Sequence, residues 1–126
     1  MIEREATQFL NVDLDLSCSS GVRALVQALE PSTTIMRLTD TEATLEHKEQ
    51  PPSVDEALLW LAQLVEGLPP EARALWDSCD TRTMNVGIQA GEQPHQELFP
   101  VSLAAMAALL RVKANLLVTV YAVNRR

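Results

Sequence analysis

The sequence predicts an α+β fold in which helices pack on one face of a mainly antiparallel sheet. Four segments, near residues 7–16, 34–38, 43–48 and 81–90, alternate apolar and polar side chains, which is typical of half-buried strands. Between them lie segments whose apolar residues recur at spacings of three and four, as in amphipathic helices. Proline and small polar residues separate these segments and mark where elements begin and end.

Length and composition favour one globular domain, residues 1–126, which is long enough to bury a core without a metal or a disulfide. The chain has 10 Lys and Arg against 17 Asp and Glu, giving a formal net charge of −7. Nucleic-acid binding needs a concentrated positive surface, so this charge argues against it. An acidic chain instead attracts a basic protein.

We expect neither a membrane span nor a secretory signal, since the first residues, MIEREATQFL, include acids and no apolar run. A span needs roughly 18 consecutive apolar residues, and no stretch reaches that length. We expect the two cysteines, Cys18 and Cys79, to be reduced and buried as small apolar side chains, since neither has a histidine or basic cluster nearby in sequence. These observations predict a cytoplasmic protein, although the mature form of a periplasmic protein would look similar.

The first predicted strand, Thr7–Leu16, has two different faces. One row is apolar and should face the core: Leu10, Val12, Leu14 and Leu16. The other row, Asn11, Asp13 and Asp15, is polar and should face water or a partner.

A short helix and a hairpin should follow the first strand. Ser19 or Ser20 is suited to cap the helix and Pro31 to end it. Its core side should comprise Val22, Leu25, Val26 and Leu29. The next two strands, 34–38 and 43–48, are mostly polar, so they should form a hairpin at a sheet edge.

The longest helix should begin with a capping box formed by Ser53 and Glu56. Gly67 is suited to end it in a left-handed conformation. A second helical segment should run from Pro70 to Ser78 with Leu75 and Trp76 turned inward. Trp60 lies off the main apolar stripe and should be partly exposed.

Another two-faced strand, Thr81–Ala90, should place Met84, Val86 and Ile88 in the core and Asn85 and Gln89 on the polar side. Ser102 should cap a last helix, which we expect to end at Asn115. Its predicted core face consists of Leu103, Met106, Ala107 and Leu110. The nearly continuous apolar segment 116–123 predicts a central strand with both faces occupied.

The resulting order, β-α-β-β-α-α-β-α-β, is that of a ferredoxin-like βαββαβ core extended by a further αβ unit. Right-handed crossovers would place all helices on one face and leave the polar rows open. We therefore predict a partner-binding surface on the open face, composed of Asn11, Asp13, Asp15, Asn85, Gln89, Thr119 and Tyr121.

The sequence predicts no catalytic residues, no metal site and no cofactor. Asp13 and Asp15 would lie about 6.5 to 7 Å apart along one strand face, which is compatible with a bound cation or an acid/base pair but specific for neither. His47 and His95 are isolated, and the chain lacks HxxxH, CxxC, GxGxxG and GxxxxGK spacings.

Several segments resemble a family of small, uncharacterised bacterial α+β proteins: LEPS at 29–32, PPEARALWD at 69–77, NVGIQAG at 85–91 and PVSLAAMAALLRVKANLLVTVYA at 100–122. Some members of that family are similar to immunity proteins that accompany bacterial toxins. The resemblance implies a protein-binding role and no catalytic residues.

The leading hypothesis is a non-enzymatic acidic protein that binds another protein, such as a basic toxin that it neutralises. A small-molecule-binding or regulatory domain is the alternative, and a metal-dependent hydrolase using Asp13 and Asp15 is a third. The predicted hairpin edge also permits a homodimer.

Overall fold

The computed structural model describes residues 5–93 and 95–123. It comprises β1 (Gln8–Ser17), α1 (Val22–Leu29), β2 (Thr33–Leu38), β3 (Glu42–His47), α2 (Val54–Glu66), α3 (Pro70–Ser78), β4 (Thr81–Gln89), α4 (Leu103–Val112) and β5 (Asn115–Tyr121). A 3-10 turn, Glu30–Ser32, follows α1. This is the predicted element order. The predicted domain 1–126 and the predicted start of the chain include residues 1–4, 94 and 124–126, which lie outside the described residues.

The strands form one five-stranded sheet in the order β2-β3-β1-β4-β5. All neighbouring strands are antiparallel except β4 and β5, which are parallel. The prediction of an α+β fold with a mainly antiparallel sheet is therefore confirmed. The first strand lies at the centre, so its polar row lies in the middle of a face.

The core lies on one side of the sheet. The strands contribute alternate residues to it: Val12, Leu14, Leu16, Ala43, Leu45, Met84, Val86 and Ile88. The four described helices each contribute buried apolar side chains to the same cluster, including the four predicted core residues of α1. The helices thus cover one face and leave the other face of β1, β3 and β4 open.

The predicted apolar row of β1 is wrong at its first member. A β-bulge shifts the register between Phe9 and Asn11, so Phe9 packs against the core and Leu10 is 37% exposed. The Gln50 side chain stabilises the bulge because its Nε2 donates to the Leu10 carbonyl oxygen at 2.7 Å. Strict alternation along β1 holds only from Asn11 onward.

Serine caps begin two of the helices as predicted. The Ser53 Oγ accepts from the Glu56 N–H at 3.1 Å, and the Ser102 Oγ accepts from the Ala105 N–H at 3.0 Å. The Asp55 carboxylate accepts from the Ser102 N–H at 2.6 Å and so links the starts of α2 and α4. None of the described helices is both long and apolar enough to cross a membrane.

Three predictions at helix ends are wrong, in position or in conformation. Gly21, rather than Ser19 or Ser20, precedes α1 with a φ of 80°. The positive φ favours glycine, whereas a Cβ there would only have to displace the end of the Leu75 side chain, whose Cδ2 lies 2.7 Å away. Gly67 follows the end of α2 as predicted, but its φ is −85°, so its conformation is not left-handed. Lys113, rather than Asn115, ends α4 in the left-handed region with a φ of 58°.

Cys18 and Cys79 form a disulfide, so the prediction of two reduced thiols is wrong. Both side chains are buried as expected, and their Cα atoms are 4.3 Å apart. The end of β1 lies against the α3–β4 connection, where the Asp80 N–H donates to the Ser17 carbonyl oxygen at 2.7 Å. This contact brings together two cysteines that are 61 residues apart in sequence.

The predicted orientation of α4 is also wrong. Its buried residues are Ala105, Ala108, Leu109 and Val112, whereas Leu103 is 82% and Leu110 78% exposed. The small side chains of Ala105 and Ala108 face inward, and α4 packs mainly on α2. The long side chains of Leu103, Met106 and Leu110 therefore form the outer face of α4.

The last strand lies at the edge of the sheet rather than in its centre, because β4 is its one neighbour among the described strands. Its apolar side chains are exposed on both faces: Leu116, Leu117, Val118 and Val120. A continuous apolar run is typical of a strand buried on both sides. The prediction that this segment is a central strand with both faces covered is therefore wrong for the described residues.

Candidate functional site

All seven predicted site residues project from the sheet face opposite the helices, which we call the open face. The strand registers establish this, since paired residues on neighbouring strands share a face. Asp13 is opposite Asn85 on one side and Glu46 on the other. The register of β4 with β5 places Gly87 beside Thr119 and Gln89 beside Tyr121.

Three carboxylates lie together in the centre of the open face: Asp13, Asp15 and Glu46, which we call the acidic cluster. Asp13 and Asp15 are two residues apart on β1, and Glu46 on β3 is directly opposite Asp13. Glu46 is not among the predicted partner-binding residues. Its position next to Asp13 depends on the order of the strands, which the sequence does not reveal.

Partial burial and the neighbouring carboxylates together raise the pKa of Asp13 from its ordinary value of 3.8 to about 6. Partial burial is the largest cause, since it removes water from the charged form. A hydrogen bond with Glu46 and the negative charges of Glu46 and Asp15 act in the same direction. Asp13 is therefore partly protonated at mildly acidic pH, and a cation placed beside it would favour its charged form.

The other polar residues near the cluster have partners that orient them. The Thr44 hydroxyl donates to the Asp15 Oδ1 at 2.9 Å across the β1–β3 pair. The Asn11 Oδ1 accepts from the Val12 N–H at 2.8 Å. Asp15 is thus held in place beside Asp13, with a second carboxylate oxygen that this hydrogen bond does not use.

The β4–β5 half of the open face is less charged. The Thr119 hydroxyl donates to the Asn85 Oδ1 at 2.8 Å. The Gln89 Nε2 donates to the carbonyl oxygens of Ala90 at 3.2 Å and Ala122 at 3.1 Å, so this side chain holds the end of β5. Gln89 lies on the predicted face, but its amide donors already bind the backbone.

Leu10 and Tyr121 form an apolar platform beside the acidic cluster. Both lie next to Gly87: a Cβ on Gly87 would be 3.8 Å from the Tyr121 ring and 3.9 Å from the Leu10 Cβ. Tyr121 is half-exposed, and Leu117 continues the apolar surface along β5. The sequence prediction missed Leu10 because of the bulge. Leu117 could have been found, since it alternates with Thr119 and Tyr121.

The two histidines lie away from the acidic cluster. The His47 ring lies 4.9 Å from that of Trp60, which is half-buried as predicted, and His95 is in an exposed loop. Within residues 5–93 and 95–123, no group of three or more His, Cys, Asp or Glu side chains is arranged to hold a metal ion.

Comparison of the chain with protein-family models, with curated proteins and with solved structures finds no match. The resemblance to a bacterial family that includes immunity-like members stays a prediction. Any function must therefore be inferred from the chemistry of the open face.

Proposed function

We propose that this chain is a non-enzymatic protein-binding module that uses its open face to bind a basic protein, such as a bacterial toxin that it neutralises. The observation that carries the proposal is the acidic cluster beside an exposed apolar platform, on a sheet face that the described helices leave uncovered. A charged region next to an aromatic contact surface is a common composition for a protein interface.

Electrostatics favours a partner rich in lysine and arginine. The net charge of −7 would steer such a partner toward the chain at long range. At short range the acidic cluster offers three carboxylates within one patch, and a guanidinium or ammonium group would relieve their mutual repulsion. An acidic protein that covers a basic active site would block it without any chemical step.

The apolar platform would supply contact area that carboxylates alone lack. Tyr121 has an aromatic ring and a polar hydroxyl, a combination enriched at energetically important interface positions. Leu10 lies next to Gly87, on the other side from Tyr121, so the two side chains form one surface. The partner would therefore place an apolar side chain here and its cationic side chains over the acidic cluster.

We also propose that the first four strands and their helices form a ferredoxin-like unit to which α4 and β5 are added. The order β2-β3-β1-β4 with antiparallel pairing throughout supports this assignment. In this arrangement the acidic cluster and the apolar platform lie on one continuous sheet face. It is available to a large partner rather than enclosed as a pocket.

The disulfide bears on where the protein would act. The predicted cytoplasmic location assumed reduced thiols, and disulfides persist mainly in oxidising compartments. Cytoplasmic location stays a prediction, and the Cys18–Cys79 bond favours the periplasmic alternative. A toxin acting in the same compartment would be the corresponding partner.

An affinity experiment with matched variants tests the proposed function. Three tagged proteins are cross-linked in lysate of the source organism. They are the wild type, the triple variant Asp13→Asn, Asp15→Asn, Glu46→Gln, and a control variant. The control, Glu30→Gln, Glu49→Gln, Glu71→Gln, has the same change in charge at exposed sites elsewhere. Mass spectrometry then identifies captured proteins. We expect one basic protein with wild type and control that is lost with the triple variant. Capture of no protein, or equal capture by the triple variant, contradicts the proposal.

A small-molecule or regulatory domain remains the second candidate because apolar cavities lie on the helix side. One, of about 220 Å³, is lined by Val54, Val86, Ile88, Phe99, Val101, Leu116 and Val118. Polar groups near it are already used: Ser53 and Asp55 accept from backbone N–H groups. A polar ligand would therefore find few partners here. A rise in Tm with a medium-chain fatty acid, absent in Val118→Trp, would favour this candidate.

A further inference from the structure

We infer that β5 and the outer face of α4 form a homodimer interface in which two copies pair their β5 strands antiparallel about a two-fold axis near Val118. This interface lies at the sheet edge and goes beyond the proposed function, which concerns the open face. It would join two five-stranded sheets side by side.

The edge formed by β5 lacks the features that normally prevent strand pairing. Its seven residues, Asn115–Tyr121, contain no charge, no proline and no bulge, and they pair with β4 in unbroken register. The opposite edge, β2, has a bulge between Ile35 and Arg37 and an exposed ion pair between Arg37 and Glu42. Natural sheets protect edges in the second way, so the β5 edge is the one suited to pairing.

Apolar surface continues from β5 onto the helical layer. Leu116, Val118 and Val120 point to the helix side, because they are paired with the buried Met84, Val86 and Ile88. They are nevertheless exposed, as is the outer face of α4. Both surfaces lack cover within the described residues, and the 220 Å³ apolar cavity lies between β5 and the segment around Phe99. Such a contiguous apolar surface indicates an interface.

The distribution of charge over the chain favours a second copy as the partner that covers β5 and the outer face of α4. The chain carries −7, so two copies would repel each other across most surfaces, but β5 and the outer face of α4 carry no charge. Such a surface offers nothing to recognise a charged partner. A two-fold axis would also run the two α4 helices antiparallel. Glu97, near the start of one α4, would then lie on the same side as the exposed Lys113 at the end of the other, while Arg111 stays paired with Glu66 of its own chain.

The proposed register pairs each face of β5 with the same face of β5 in the second copy. Pairing about Val118 places Leu116 opposite Val120 of the second copy on the helix side, and Leu117 opposite Thr119 on the open face. The C2 symmetry makes each contact occur twice, which is the commonest arrangement for homo-oligomers. The apolar run of β5 then has a strand on both sides, as its composition predicts.

Light scattering after gel filtration tests the inference with charge variants. We expect the wild type to elute with twice the mass of the 13.9 kDa chain. Leu110→Lys with Val120→Lys should raise the dimer Kd by about 100-fold or more, since each lysine would be buried against apolar surface. Met36→Lys on β2, where Met36 is 56% exposed, is the control and should remain dimeric.

A wild-type chain that is monomeric at 100 μM would overturn the inference, and so would a dimer that Met36→Lys disrupts and the α4–β5 variant does not. Hydrogen exchange gives a readout without substitutions: the β5 amides should gain protection with rising concentration while those of β2 do not. Unchanged β5 exchange would contradict the inference. The α4–β5 variant retains the acidic cluster, so loss of the dimer and loss of partner binding can be distinguished.

Discussion

Asp13 is the residue whose chemistry depends most on the way the strands are assembled. On an isolated β1 it would be one of two ordinary carboxylates, but β3 places Glu46 opposite it and partial burial removes water. Its raised pKa means that ionised Asp13 destabilises the folded state at neutral pH. This destabilisation is the kind that a functional face tolerates, because a bound cation would reverse it.

Asp13→Asn should therefore stabilise the protein at neutral pH. The folded pKa is about 6, against roughly 3.9 in an unfolded chain, so the folded state gains stability from protonation below pH 4 and loses it as pH rises through 6. At pH 7.5 the variant should gain about 1 kcal/mol in the free energy of unfolding, allowing for solvent screening at this partly exposed site. Urea unfolding between pH 4 and pH 7.5 measures it. The gain should vanish at pH 4, and Glu49→Gln, the control, should show none.

At the scale of the element, β1 depends on its bulge. Phe9→Ala should lower the free energy of unfolding by about 2 kcal/mol because the ring packs against the core, whereas Leu10→Ala should cost less than about 0.5 kcal/mol. Denaturant midpoints of the two variants provide the measurement. A strand with the regular alternation predicted from sequence would give the reverse order of effects.

The disulfide connects two elements, the end of β1 and the end of α3. Replacing Cys18 and Cys79 by alanine should lower stability by about 2–4 kcal/mol, because a bond across 61 residues restricts the unfolded chain. Thermal unfolding with and without a reducing agent checks this: reduction should lower the Tm of the wild type and leave that of the double variant unchanged. An equal Tm for the wild type in both conditions would contradict the prediction.

Sequence patterns predicted where the helices and strands lie along the chain. They did not predict which elements pack against each other. Strand and helix bounds follow from local periodicity and from caps such as Ser53 and Ser102, which act within a few residues. The outward face of α4 and the edge position of β5 depend on which neighbour each element finds. Hydrophobic residues were assumed to be covered by the same chain. That assumption fails for Leu103 and Leu110, which are exposed. A second copy of the chain, as proposed above, would cover them.

The same distinction applies to the candidate site. All seven predicted residues follow from period-two alternation on β1, β4 and β5, although the Gln89 amide is used to hold the strand end. Glu46 joins Asp13 only through the strand order, and Leu10 joins Tyr121 only through the bulge. The pairing of strands that are distant in sequence therefore decides which residues are neighbours on the open face.

At the scale of the whole molecule, the acidic charge and the acidic cluster should make binding depend on pH. A lysine or arginine placed over Asp13 would lower its pKa, so binding releases a proton. Affinity for the basic partner should be about ten-fold weaker at pH 5 than at pH 7. Calorimetry in two buffers of different ionisation enthalpy would detect the proton, and Asp13→Asn should flatten the profile. A wild-type affinity independent of pH would contradict this linkage.

The central position of β1 also affects the chain while it is being synthesised. Leu14 is made early, but its neighbours in the sheet, Leu45 and Met84, follow 31 and 70 residues later. At synthesis rates of roughly 5–20 residues per second, β1 waits about 3 to 15 s before β4 exists. During that interval its apolar row has no complete sheet to join. Codon changes that slow translation between residues 17 and 81 should therefore increase the fraction of chains that aggregate before they fold.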